Sequence, residues 1–169
     1  MTTVVPLSKR PYDWLFLAYF ALHLPISILV DLQIIFPRQY FPLFLRTSLD
    51  DWVRDADDVL TGTRPVFFQA FVWVELFFHI PYFCAAIYAF VRGKNWIRDV
   101  SIVYATAVLV SMVAVMPEAW DRSKAPLQTK LMLQSVLVIW CILPTLLMQR
   151  VWNPNVFNYP IAGAGKKKQ

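Results

Sequence analysis

Asp31 and Glu75 are carboxylic acids set in stretches that otherwise have the composition of membrane helices. Asp31 closes the apolar run 17–30, and Glu75 is the only acidic residue between Val66 and Val91. A charged side chain at the bilayer centre costs about 2.5–3.5 kcal/mol on insertion scales, so it usually faces a protein interior, a cavity or a ligand. His79 follows Glu75 by four residues and shares its helix face. His23 precedes Asp31 by eight, roughly on one face again, although Pro25 lies between them. If these faces meet, two carboxyl groups and two imidazoles stand together near mid-membrane. Two close carboxyls in a dry site do not readily both ionise, so the pair shares a proton. It can then hold an amine, one carboxylate serving as counter-ion and the other acid as hydrogen-bond donor. It can also move a proton on an apolar substrate, with His79 or a carboxylate as acceptor. A third role is packing alone, since polar side chains also bond helices together in membranes.

The elements that must position these groups follow from composition. Hydrophobic residues make up 58% of the 169 and aromatics 16%, which fits neither a disordered chain nor an average soluble domain. Four segments reach the roughly 20 apolar residues that a span needs, at 12–36, 66–91, 100–117 and 127–148. The expected fold is an all-α membrane protein, a four-helix bundle forming one domain over residues 1–150, with a tail over 151–169. Pro25 and Pro81 predict kinks in the first two spans, and Pro117 and Pro144 predict ends or bends in the last two. The first span is too long for a signal peptide's apolar core. Cys84 and Cys141 fall within spans and are expected to pack as small apolar groups. No metal-ligand cluster of Cys and His is evident, and neither a metal nor a cofactor is expected.

Between the first two spans, the loop 37–65 is too apolar for a solvated connector. Leu45, Leu49, Trp52 and Val53 recur at helical spacing, which predicts a short amphipathic helix capping the bundle or lying at the interface. Asp50, Asp51, Asp55, Asp57 and Asp58 would then mostly face water. Among the aromatic residues of the spans, Trp73, Phe77, Phe78, Tyr82, Tyr104 and Trp140 could line a cavity suited to flat hydrophobes and cations. A net charge of +5 does not imply a nucleic-acid partner, because the basic residues gather at the edges of the spans. Nine of the sixteen lie on the side of the termini, which places both termini in the cytosol by the positive-inside rule. Lys166 and Lys167, fourth and third from the end, resemble a dilysine retrieval address, while Lys166, Lys167 and Lys168 could equally attract anionic lipid.

Several collinear stretches resemble the sigma-2 receptor family, within the EXPERA-domain group that includes the emopamil-binding sterol isomerases. The first span carries Tyr12-Asp13-Trp14, His23-Leu24-Pro25-Ile26, Val30-Asp31-Leu32-Gln33 and Phe36-Pro37-Arg38. The second carries Glu75 through Phe83 and then Tyr88-Ala89-Phe90, and Gly93, Trp96-Ile97-Arg98 and Tyr104 follow. Ser135-Val136 and Pro144 extend the likeness weakly into the fourth span. The resemblance implies a multi-pass protein of the endoplasmic reticulum, homodimeric, with a cavity open to lipid that binds sterols or cationic amphiphilic amines. It implies Asp31 as the amine-contacting carboxylate and Glu75 as its hydrogen-bonded partner. Asp58 is implied as a structural aspartate tying the loop over the pocket. His79, Leu137 and Trp140 depart from the family's usual Gln and tyrosines.

The expected ligand-binding residues are Asp31, Glu75, His79 and Trp140, with Asp58, Trp52 and His23 shaping the pocket. A sterol or amine ligand, membrane lipid and a membrane-protein client are the expected partners, without nucleic acid. Binding without catalysis is the first expectation; a sterol double-bond isomerase and a trafficking chaperone are the alternatives. Protease added to sealed microsomes should remove a tag from the C-terminus, whereas a protected tag would overturn the cytosolic placement.

Overall fold

The structure is a computed structural model and describes residues 2–160; Lys166, Lys167 and Lys168 lie outside the described residues. Among the described residues, four helical segments are long and apolar enough to cross a membrane: Pro11–Ile34, Val66–Arg92, Ile97–Arg122 and Leu127–Val151. Valine, leucine and phenylalanine dominate them, and the main-chain polar groups must be satisfied within each segment when lipid surrounds it. The chain is therefore a multi-pass membrane protein built as a four-helix bundle.

In chain order, strand β1 (Thr2–Val4) precedes α1 (Pro11–Leu29), which begins on a proline that fits its first turn. A 3-10 turn at Asp31–Ile34 ends the first span. Then come α2 (Leu43–Ala56) and α3 (Val59–Thr63). The second span consists of α4 (Val66–Val74), a single π-helical turn at Glu75–His79, and α5 (Ile80–Arg92). Finally α6 (Ile97–Arg122) and α7 (Leu127–Val151) lead to strand β2 (Asn158–Pro160).

The prolines act differently along the chain. Pro81 lacks an N–H for the ladder, and immediately before it the Ile80 N–H reaches back five residues to the Glu75 carbonyl. That widened turn carries both Glu75 and His79, and such π turns often mark functional positions. Pro117 and Pro144, by contrast, end neither helix: α6 runs on to Arg122 and α7 to Val151. Buried Ala119, Leu147 and Val151 beyond them keep the helices packed despite a missing donor.

Helix α1 packs along α5, and α6 along α7. Ala86 and Ala89 on α5 and Ala105 and Ala119 on α6 are all buried, and their small size lets neighbouring backbones approach. Around them Phe20, Phe83, Phe90 and Tyr104 are fully buried and pack edge-to-face or offset. The outer face is the reverse: Phe77 is 73% exposed and Val113 is 76% exposed, apolar surface that suits lipid.

At the end where the termini meet, β1 and β2 pair antiparallel, with Thr2 opposite Pro160 and Val4 opposite Asn158. Gly93 turns the chain between the second and third spans with a left-handed φ of 64°, and a Cβ there would collide with Val4. Below the ribbon, fully buried Asp13 joins two arginines. Arg10 donates to Asp13 and to the Phe90 carbonyl, and Arg150 Nε donates to Asp13 Oδ1 at 2.7 Å. Both guanidiniums also lie over the Phe157 ring. The chain after α7 is thus fastened to the bundle through Val156 and Phe157, both buried.

At the opposite end, α2 and α3 form a cap. Leu49 and Ala56 turn inward, while Asp50, Asp51 and Asp55 face solvent and pair with Arg38 or Arg54. Arg38, 2.9 Å from Asp50, holds that exposed carboxyl below its ordinary range.

Removing one member of a buried ion network leaves uncompensated charge, a loss of about 3–5 kcal/mol. Asp13→Ala should therefore sharply lower the melting temperature in detergent, while the exposed Asp55→Ala should leave it nearly unchanged. Equal melting of the two variants would show that the arginine cluster does not hold the bundle end.

Candidate functional site

The acidic residues reach the bundle interior through two local irregularities. Helix α1 stops at Leu29, and the following 3-10 turn starts on Asp31. Buried Gln33 donates from Nε2 to the Leu29 carbonyl at 2.9 Å, satisfying a helix-end acceptor in a place without water. Glu75 opens the π turn of the second span. A carboxyl oxygen of Asp31 and one of Glu75 lie within 4.8 Å of each other. Ser27, fully buried on α1, donates its hydroxyl to Glu75 Oε1, and His23 Nε2 stands 3.8 Å from that same oxygen.

His23, Ser27 and Asp31 follow one another at intervals of four, a stripe down one face of the first span. The His23 ring lies between Trp140 and Phe83, with centroids 4.5 Å and 4.8 Å away. His79 meets the Tyr104 ring edge-on at 5.0 Å. Beneath it the Tyr19 and Tyr104 hydroxyls are 2.6 Å apart, and Tyr82 donates to Ser101 at 2.8 Å. His23 Nδ1 and His79 Nε2 are buried without a hydrogen-bond partner among the described residues.

The two acids and the two histidines border a cavity of about 390 Å³, within the range of small-molecule sites. Asp31, Glu75, His79, Trp140, Asp58, Trp52 and His23 all line it. The rest of its wall is mostly apolar, from Phe68, Phe71, Val108, Met112, Leu133 and Leu137 among others. Three carboxyl groups face the space, and among the described residues no lysine or arginine lines it. A second, apolar depression between α1 and α7 shares His23, Ile26 and Trp140 with the main cavity.

The cap closes the space through two adjacent aspartates with separate tasks. Asp58 accepts from Thr61 N at 3.2 Å, Thr61 Oγ1 at 2.8 Å and Trp52 Nε1 at 3.1 Å, which starts α3 and orients Trp52. These bonds stay within the cap. The bond that crosses to the bundle comes from Asp57, whose left-handed φ of 49° turns its carboxylate towards the α6–α7 connection. There it accepts from Ser123 Oγ at 2.6 Å and from Ala125 N at 3.2 Å.

His23, Asp31 and Glu75 bring one donor atom each within 4.8 Å of one another, close enough to surround a small cation. The Glu75 oxygen already takes the Ser27 hydroxyl, and among the described residues no acceptor orients His23 Nδ1. A metal-binding histidine almost always donates its second nitrogen to an acceptor. The arrangement is therefore an acid pair with a hydroxyl donor rather than an open ligand set.

Sequence reasoning missed Ser27, Gln33 and Asp57. Ser27 had a usable signal, since it lies four residues from both His23 and Asp31. Ser111 donates to the Val108 carbonyl of its own helix at 2.8 Å.

Comparison with known proteins agrees with this architecture. Residues 44–151 match the EXPERA (expanded EBP superfamily) family. The sigma intracellular receptor 2 of Macaca fascicularis is 31% identical over 156 residues, covering 85% of this chain and 89% of that protein. The human sigma intracellular receptor 2 is also 31% identical, over 85% of this chain and 88% of its own length. That of Xenopus tropicalis is 33% identical, over 82% and 86%. The chain belongs to the EXPERA family and, within it, to the sigma-2 receptor group.

Proposed function

We propose that this protein binds cationic amphiphilic amines or sterols in the membrane of the endoplasmic reticulum, through the cavity headed by Asp31 and Glu75, and serves sterol homeostasis. The observation that carries this reading is the charge of the cavity: three carboxyl groups, two of them within 4.8 Å of each other, and no lysine or arginine on the wall among the described residues. A protonated amine supplies the missing positive charge, and its apolar body fits against Phe68, Phe71, Met112 and Leu133. Asp31 and Glu75 act as a unit carrying one negative charge. Trp140 and His79 border the ligand, Trp52 and Asp58 shape the cap above it, and His23 orients beside Glu75. Entry from the bilayer would use the apolar depression between α1 and α7, because it adjoins the cavity at His23 and Trp140.

Both termini are placed in the cytosol, where the lysine end could act as a retrieval address, and a homodimer is the proposed assembly. No enzymatic step is required. The two unpartnered imidazole nitrogens favour one second reading, a sterol double-bond isomerase using Glu75 and His79 for proton transfer. Conversion of sterol in membranes containing the purified protein would separate that reading from binding alone.

Replacing both acids, Asp31→Asn with Glu75→Gln, preserves size while removing the charge. Charge-assisted hydrogen bonds contribute about 1.5–3 kcal/mol, so affinity for protonated N,N-dimethyldodecylamine, whose N–H can donate to the pair, should fall at least about tenfold. The melting temperature should change little, because a buried charge is removed rather than stranded. A packing role predicts the reverse, a lower melting temperature with affinity intact.

A further inference from the structure

We propose that Arg38, Arg46 and Arg64 form a phosphate site for an anionic phospholipid at the cap end of the bundle. The site lies outside the cavity and does not depend on what the cavity binds.

The three arginines come from separate parts of the chain. Arg38 follows the end of the first span at Ile34, Arg46 lies in α2, and Arg64 stands just before the second span begins at Val66. Asp50 gathers them. Arg38 Nη2 donates to Asp50 Oδ2 at 2.9 Å and to the Arg46 carbonyl at 2.8 Å. That bond to Asp50, with the positive charges of Arg38, Arg64 and Arg46, holds the exposed carboxyl below its ordinary range. One carboxylate thus serves three guanidiniums.

The neighbouring acids do not make up the difference. Asp51 and Asp55 are both taken by Arg54, each at 2.9 Å. Arg122 has Glu118, and Lys130 has the Trp120 carbonyl. Among the described residues, neither Arg46 nor Arg64 pairs with a carboxylate, and the Nε groups of Arg38 and Arg46 are buried without an acceptor. A buried donor left unpaired is costly, so this cluster has too few acceptors as well as too little negative charge. A phosphate supplies both, in the paired geometry that a guanidinium fork fits.

The surroundings identify a lipid as the carrier of that phosphate. Tyr40, Leu43, Phe44 and Val66, beside the arginines in sequence, are all exposed apolar or aromatic side chains. A tyrosine suits the headgroup level, and the others suit acyl chains. Placed at the ends of two spans, the arginines stand where the phosphates of a bilayer stand. A zwitterionic headgroup would bring its own cation into a cluster that is already positive, so an anionic headgroup is the better match.

The test is native mass spectrometry of the full chain in detergent, titrated with dioleoylphosphatidate or dioleoylphosphatidylcholine, while the melting of each variant is followed. Phosphatidate should bind at least about tenfold more tightly than phosphatidylcholine, and Arg46→Gln with Arg64→Gln should weaken it at least about tenfold. Arg54→Gln, which removes a charge that already has two carboxylates, should change phosphatidate binding less than about twofold. An equal loss in Arg54→Gln would reduce the site to general charge attraction and overturn it, as would unchanged affinity in the double variant. Displacement of the lipid by equimolar inorganic phosphate would overturn the lipid as occupant. If the double variant fails to fold, the unaltered protein is crosslinked to a phosphatidate that carries a diazirine next to its glycerol. Label on residues 38–46 or 64–66, displaced by unlabelled phosphatidate, is then expected. Displaceable label found only elsewhere would overturn the site.

Discussion

Two carboxyl groups inside a bilayer constrain the rest of this molecule. Neither can face lipid, so Asp31 and Glu75 must face each other, and the first two spans must meet where they do. The irregular backbone at that point follows from the same need. A 3-10 turn ends the first span at Asp31 and a π turn carries Glu75, and both lie where the bundle encloses a cavity rather than where it meets lipid. Gln33 satisfies the end of α1, and Ser27 supplies a donor to the acid across the interface.

The cavity stays open because the bundle is fastened at both ends rather than packed solid in the middle. At the end where the termini meet, Asp13 draws Arg10 and Arg150 together under the β1–β2 ribbon, with Phe157 beneath both guanidiniums. At the other end Asp57 locks the cap to the α6–α7 connection, while Asp58 shapes the cap itself. Between these ends, small residues let helices approach in pairs, α1 with α5 and α6 with α7. The space left between the pairs is bordered by the acids.

How much of this was legible in the sequence depended on the range of the interaction. The four spans were visible because bilayer thickness imposes a length on any apolar run, and the cap helix because Leu45, Leu49 and Trp52 recur at helical spacing. Asp31 and Glu75 stood out because an acid in such a run is expensive. Ser27 did not, since a serine in an apolar helix ordinarily bonds its own backbone, and only its spacing of four from both His23 and Asp31 marks it. The β1–β2 ribbon joins two three-residue segments from opposite ends of the chain, too short to carry a strand pattern. Pro117 and Pro144 end neither helix, because packing beyond them carries both helices on, which the local sequence does not show. The separate work of Asp57 and Asp58 depended on a left-handed backbone at one residue, which composition does not encode.

The central claim is that the acid pair heads a cavity that receives a cation. An experimental structure with a cationic amphiphile brominated on its alkyl chain tests it most directly, because anomalous scattering locates the bromine independently of the protein's density. The account predicts bromine among Phe68, Phe71, Met112 and Leu133, with the nitrogen against Asp31 and Glu75. Bromine found only on the lipid-facing surface, with density absent beside the two acids, would contradict it.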